Sequence, residues 1–166
     1  MFPPKLILAP IDFSDYSRNA LETAVGIASS TGATLLLVYV VPAIPDLPRD
    51  VSILKEGEYD EGLHEAATKR LVELAAGLAA KNISVRSEVG TANDVGMEIL
   101  RIAEHDGADM IVIATHGMTG WRQIAFGSVA KKVVEQATCP VLVLCAQEAG
   151  QSTESQSHAN ASSATA

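Results

Sequence analysis

Two stretches of almost unbroken apolar residues, Thr34 to Val41 and Met110 to Ala114, constrain this chain more than anything else in it. Each is too short for a buried helix and rich in Val, Leu and Ile, so each reads as a strand with apolar side chains on both faces. Such strands need cover above and below, which calls for a parallel sheet between two layers of helices. The rest of the chain supplies those parts in alternation. Lys5 to Ile11 is a first strand, and Ser14 or Asp15 caps a helix with Ala20, Leu21, Ala24, Val25 and Ala28 on one face. Gly32 ends that helix. After a proline-bearing loop, Pro42 to Gly57, a helix runs from about Glu58 to Lys81 with Leu63, Ala67, Leu71, Leu74 and Leu78 near helical spacing. Ile83 to Val89 is a third strand. Thr91 or Asn93 caps a helix reaching about His105, with Val95, Ile99, Ile102 and Ala103 turned inward. The strand Met110 to Ala114, a last helix from Val129 to Ala137 and a fifth strand, Val141 to Cys145, complete the series. The fold class is α/β, an open parallel sheet with helices on both faces.

A chain of 166 residues, 48% of them hydrophobic, suits one domain with a full core. Residues 1–146 form that domain; 147–166, made of Ser, Ala, Thr, Gln and Asn with no large apolar side chain, are expected to be a disordered tail. The formal charge of −8 argues against nucleic acid, whose phosphates require clustered Lys and Arg. Pro3 and Pro4 break the N-terminus and its short apolar run meets Asp12, so no secretory signal is expected. Ala33 to Pro45 is too short to span a bilayer, which argues against a membrane partner. A cytoplasmic protein is expected. Cys139 and Cys145 lie six residues apart on an extended segment, about 20 Å and far beyond disulfide reach. They read as buried, inert thiols.

In a doubly wound sheet, ligands sit beyond the carboxyl ends of the strands, where strand order reverses. If the first and fourth strands are central neighbours, two segments meet there: Pro10-Ile-Asp-Phe-Ser14 and the glycine loop from Ala114 to Ser128. That loop leaves a strand and ends in Gly127-Ser128 at a helix start, a usual way to offer backbone N–H groups to phosphate. Ser128, Val129 and Ala130 would present those groups. An N-cap serine after a turn glycine is the plainer reading of the same two residues. Gly117 and Gly120 would let the loop fold over a ligand, with Thr115 and His116 in reach. His116 has no partnered carboxylate or nucleophile in the motif and lines a pocket rather than acting in catalysis. Trp121 and Phe126 are expected to pack over the loop.

These segments together resemble the universal stress protein family. Lys-Leu-Ile-Leu-Ala-Pro-Ile-Asp-Phe-Ser at 5–14 is similar to its opening strand and acidic turn. Ala114-Thr-His-Gly-Met-Thr-Gly120, Phe126-Gly-Ser-Val-Ala130 and Cys139-Pro-Val-Leu-Val143 are similar to its C-terminal signature. The resemblance implies a five-stranded sheet in order 3-2-1-4-5, Rossmann-like in the manner of adenine nucleotide alpha hydrolases, and a homodimer through the last strand. One branch of the family binds ATP through Gly-x2-Gly-x9-Gly-Ser/Thr, and another lacks the pattern and binds no nucleotide. Here Gly117, Gly127 and Ser128 match, and the first landmark falls on Ala114. The implied site has Asp12 accepting from adenine or ribose, Pro10 and Ile11 flanking the base, and Val40 in apolar contact with it. Ala114, Thr115, His116, Gly117, Met118, Thr119 and Gly120 form the loop wall, and Gly127, Ser128, Val129 and Ala130 hold the phosphates. ATP is the implied cofactor, with Mg²⁺ on the triphosphate. No Walker Gly-x4-Gly-Lys-Ser/Thr is present, so hydrolysis is expected to be slow at most. A nucleotide-free dimeric scaffold or holdase is the alternative, and Ala114 is the residue that favours it.

Overall fold

In the computed structural model of this chain, residues 3–43, 56–115 and 127–145 are described. The predicted elements occur in the predicted order. Strand β1 (Leu6–Pro10) leads to helix α1 (Asp15–Thr31), strand β2 (Thr34–Pro42), helix α2 (Glu56–Ala79), strand β3 (Val85–Ala92) and helix α3 (Val95–Asp106). Strand β4 (Met110–Ala114), helix α4 (Ser128–Gln136) and strand β5 (Val141–Leu144) follow. The sheet order is β3-β2-β1-β4-β5, every pair parallel. The chain therefore winds outward from β1 to β3, crosses over through α3, and winds the other way through β4 to β5. The reversal lies between β1 and β4, where Ile7 pairs with Met110.

Two apolar layers hold the sheet. On one face Ile7, Ala9, Leu35, Leu37 and Val112 meet Ala20, Leu21, Ala24 and Ala28 of α1 and Leu71 and Leu78 of α2. On the other, Leu8, Leu36, Val38, Val40, Ile111 and Ile113 meet Ile99, Ile102 and Ala103 of α3 and Ala130 and Val133 of α4. Adjacent strand residues fall in opposite layers, as the period of two demands, and this is why β2 and β4 had to be apolar throughout.

Helix ends follow local chemistry. Ser14 caps α1, its Oγ accepting from the Ser17 N–H at 3.2 Å, and Gly32 closes the helix at φ 74. Asp94, and neither Thr91 nor Asn93, caps α3: its Oδ1 accepts from the Met97 N–H at 3.1 Å. Thr91 is still in β3, which runs three residues past Val89 because its backbone keeps pairing with β2 as far as Pro42 and Ala92. Leu63 is exposed rather than packed; among the side chains described in α2, Ala67, Leu71 and Leu78 are the buried ones, all beyond it. The thiols also differ from expectation. Cys139 is half-buried and Cys145 exposed, because both lie at the ends of an edge strand. The expected tail, 147–166, lies outside the described residues.

Candidate functional site

The crevice beyond β1 and β4 is built by the ends of three strands and the starts of two helices. After Pro10 the chain leaves the sheet, with the Ile11 N–H still bonded to the Val38 carbonyl at 2.8 Å. Asp12 then folds back. Its Oδ1 accepts from the Ser14 N–H at 3.0 Å and from the Ser14 Oγ–H at 2.6 Å, an Asx turn that aims Ser14 into its capping role. The Ser17 hydroxyl lies 3.4 Å from the Asp12 N–H. Asp12 thus orders the start of α1 while lying at the carboxyl end of β1.

Between Asp12 and Ser14, Phe13 has φ 63. A bulky side chain in the left-handed region costs about 1–2 kcal/mol, and nothing in the sequence announced it. Tyr39 of β2 packs against its ring with centroids 5.3 Å apart, and the Arg70 guanidinium of α2 sits 3.9 Å above it.

On the β4 side, Ala114 is the last strand residue and pairs with Leu144. It is extended, with none of the positive φ that would require glycine, and its methyl packs with the α1 layer. Thr115, 1% exposed, follows. The described chain resumes at Gly127, whose N–H donates to the Thr115 carbonyl at 2.7 Å. A Cβ on Gly127 would lie 2.9 Å from that same oxygen. Glycine is needed here for the approach of backbone to backbone, which joins the start of α4 to the residue after β4. His116, Gly117, Met118, Thr119 and Gly120, along with Trp121 and Phe126, lie outside the described residues.

Gly127 is the N-cap of α4 and makes no side-chain cap bond; Ser128 is the first helical residue rather than the cap. The first turn of α4 carries no acidic side chain, whereas α1 has Asp15 and α3 has Glu98. Among the helices whose N-caps are described, α4 alone has neither a capping side chain nor an acid in its first turn. The positive end of its dipole lies beside Thr115, at the carboxyl end of β4. Val40 (7% exposed), Ile113 and Ala130 belong to one apolar cluster with Val129 at its edge, on the face where alternation also places Pro10. Ile11 is buried in the opposite layer, so only its backbone reaches the crevice. The structure thus brings together Pro10, Val40, Thr115, Gly127, Val129 and Ala130, with Asp12 at the same end of the sheet. The Ile11 side chain and the Ala114 methyl face away.

One ion pair fastens the neighbouring helix. Lys132 of α4 bonds Asp94, the cap of α3, and its stem covers Gly96. Lys132, then the Met97 N–H, hold the Asp94 carboxyl below the usual range. An aspartate in the three residues before Val95 was the available signal, and the strand-forming Thr91 obscured it.

The universal stress protein family model matches residues 4–144, and the chain belongs to that family. Universal stress protein MJ0531 of Methanocaldococcus jannaschii is 37% identical over 144 residues, covering 84% of this chain and 81% of that protein. The solved structure of MJ0577 superposes with a TM-score of 0.76 at 27% identity, over 87% of this chain and 98% of its own. A universal stress protein from Archaeoglobus fulgidus, solved in complex with dAMP, has a TM-score of 0.58 at 20% identity over 86% and 98% of the two chains, a likeness of fold alone.

Proposed function

We propose that this chain is a nucleotide-dependent stress-response protein that binds ATP in the crevice between β1 and β4. The observation that carries the reading is the bare N-terminus of α4. Where α1 and α3 satisfy a first-turn N–H with Ser14 and Asp94, α4 begins at Gly127, which makes no side-chain cap bond, and its first turn carries no acid. An anion is the natural partner for that arrangement, and the spacing of Gly117, Gly127 and Ser128 matches the ATP-binding pattern. Phosphates would rest on the N–H groups of Ser128, Val129 and Ala130. Val40 and Pro10 would contact the base, and the backbone at Ile11 and Asp12 would face adenine or ribose. Thr115 through Gly120 would form the outer wall. A fold-mate solved in complex with dAMP supports a nucleotide as the class of ligand.

Ala114 was the residue that favoured a nucleotide-free scaffold or holdase. Its extended backbone and inward methyl instead support the nucleotide reading, since neither calls for glycine. Among the described residues no three His, Cys, Asp or Glu side chains gather to hold a metal, so Mg²⁺ would enter on the phosphate oxygens and keep most of its waters. No water-activating pair stands at the site among the described side chains, and any hydrolysis would be slow. A homodimer through β5 fits the open edge of that strand, where Leu142 is 36% exposed. No helix of the described residues is long and apolar enough to cross a membrane, and a cytoplasmic location accords with that.

Calorimetric titration of ATP with Mg²⁺ into the purified protein tests the reading. Saturable binding with one nucleotide per chain is expected; no heat at millimolar ligand would overturn it.

A further inference from the structure

We propose that Arg70, on the face of the sheet opposite the phosphate-binding helix, is a positioning residue for the acidic turn that faces the nucleotide. The ligand in this proposal rests on the reading above; the geometry does not. The Asx turn of Asp12 and Ser14 has Phe13 between them at φ 63. A bulky residue abandons that conformation when released, since its Cβ crowds the neighbouring carbonyl oxygen. Phe13 is neither glycine nor asparagine, so the contacts of its ring add to the turn's hydrogen bonds in holding that conformation.

That ring is held by two groups from distant parts of the chain. Tyr39 of β2 lies 5.3 Å from it, with the planes inclined at 38°, and Phe13 packs at the edge of the α1/α2 layer. The Arg70 guanidinium caps the ring from above at 3.9 Å, well within cation–π range. Arg70 comes from the middle of α2, where Ala67 and Leu71 are buried on either side and fix the helix to the sheet. The restraint therefore runs from α2 through one aromatic ring to the carboxylate of Asp12. Arg70 needs no contact with the ligand to affect binding. It determines how much of the time Asp12 is folded back and the turn is ready.

Amide hydrogen exchange of the ligand-free protein by NMR, with ATP titration of the same samples, tests this on Arg70→Ala and Arg70→Lys. The Ser14 amide donates to Asp12 and reports the turn; the Met97 amide, which donates to Asp94, is the control. In Arg70→Ala the Ser14 amide should exchange about two- to fivefold faster while Met97 is unchanged, the factor expected for an exposed cation–π contact. Arg70→Lys, which keeps a cation over the ring, should restore most of the protection. ATP should bind Arg70→Ala weaker by a similar factor with the wild-type dependence on salt.

Unchanged exchange at Ser14, or equal acceleration at Ser14 and Met97, would overturn the positioning role. So would a loss of affinity with a reduced salt dependence, which would mean that Arg70 touches phosphate directly. If wild type binds no ATP, the proposed function fails on its own account, and the exchange of Ser14 still decides what Arg70 does.

Discussion

Of two positions in the glycine motif, 127 must be glycine and 114 need not be. Glycine at 127 is required by the Thr115 carbonyl, 2.9 Å from where a Cβ would stand, so Gly127→Ala should destabilise the fold by roughly 1–3 kcal/mol. Thermal melts should record that cost with or without ligand, and a loss of binding in this variant would say little about phosphate. Ala114→Gly should lower stability by about 0.5–1 kcal/mol, the usual cost of glycine in a strand, and leave nucleotide affinity unchanged in calorimetry. The informative position is Ser128, exposed at the first turn of α4. Ser128→Glu places a negative charge where the helix dipole favours it, worth about 0.3–1 kcal/mol, yet where it repels phosphate. Undiminished melting temperature with binding lost is the expected pair of results. The glycines were legible in the sequence as a motif, but their separate duties were not, because spacing carries no information about which backbone atom a Cβ would meet. Phe13 was illegible for the opposite reason: its side chain argues against the backbone it adopts.

Elements were legible where side-chain pattern and backbone pairing agree, and blurred where they part. β3 outruns its apolar residues because main-chain bonds to β2 do not depend on side chains. The start of α3 moved with it, to Asp94. That cap also receives Lys132 from α4, so two helices on one face share a single carboxylate. Asp94, Glu98 and Asp109 are all held below the usual carboxylate range. Lys132 does this for Asp94, Arg101 for Glu98, and the Lys5 and Leu6 N–H groups for Asp109. A carboxyl with a lowered pKa in the folded state stabilises above its unfolded value, and that contribution is lost as pH falls toward the folded one. Asp94→Asn, which keeps the cap and removes the charge, should therefore be less stable than wild type at neutral pH. The gap in melting temperature should close below about pH 4; a gap that persists in acid would contradict the assignment of the effect to the Asp94–Lys132 pair.

At the scale of the molecule, the apolar runs at 34–41 and 110–114 demanded a sheet covered on both faces, and the central pairing of β1 with β4 followed from family resemblance and is met in the topology. The open edge at β5 gives the proposed homodimer a definite test. Leu142→Arg should shift the sedimentation of the protein to that of a single chain while leaving the α1 and α3 layers folded. The proposed phosphate site lies at the carboxyl end of β4, on the start of α4, where Gly127 offers no capping side chain. The direct measurement is an NMR titration of ¹⁵N-labelled protein with Mg²⁺–ATP. Large shifts at the Ser128, Val129 and Ala130 amides, with the capped Met97 amide of α3 unmoved, are predicted. ATP that binds while leaving those three amides in place, or that moves Met97 as much as them, would contradict it.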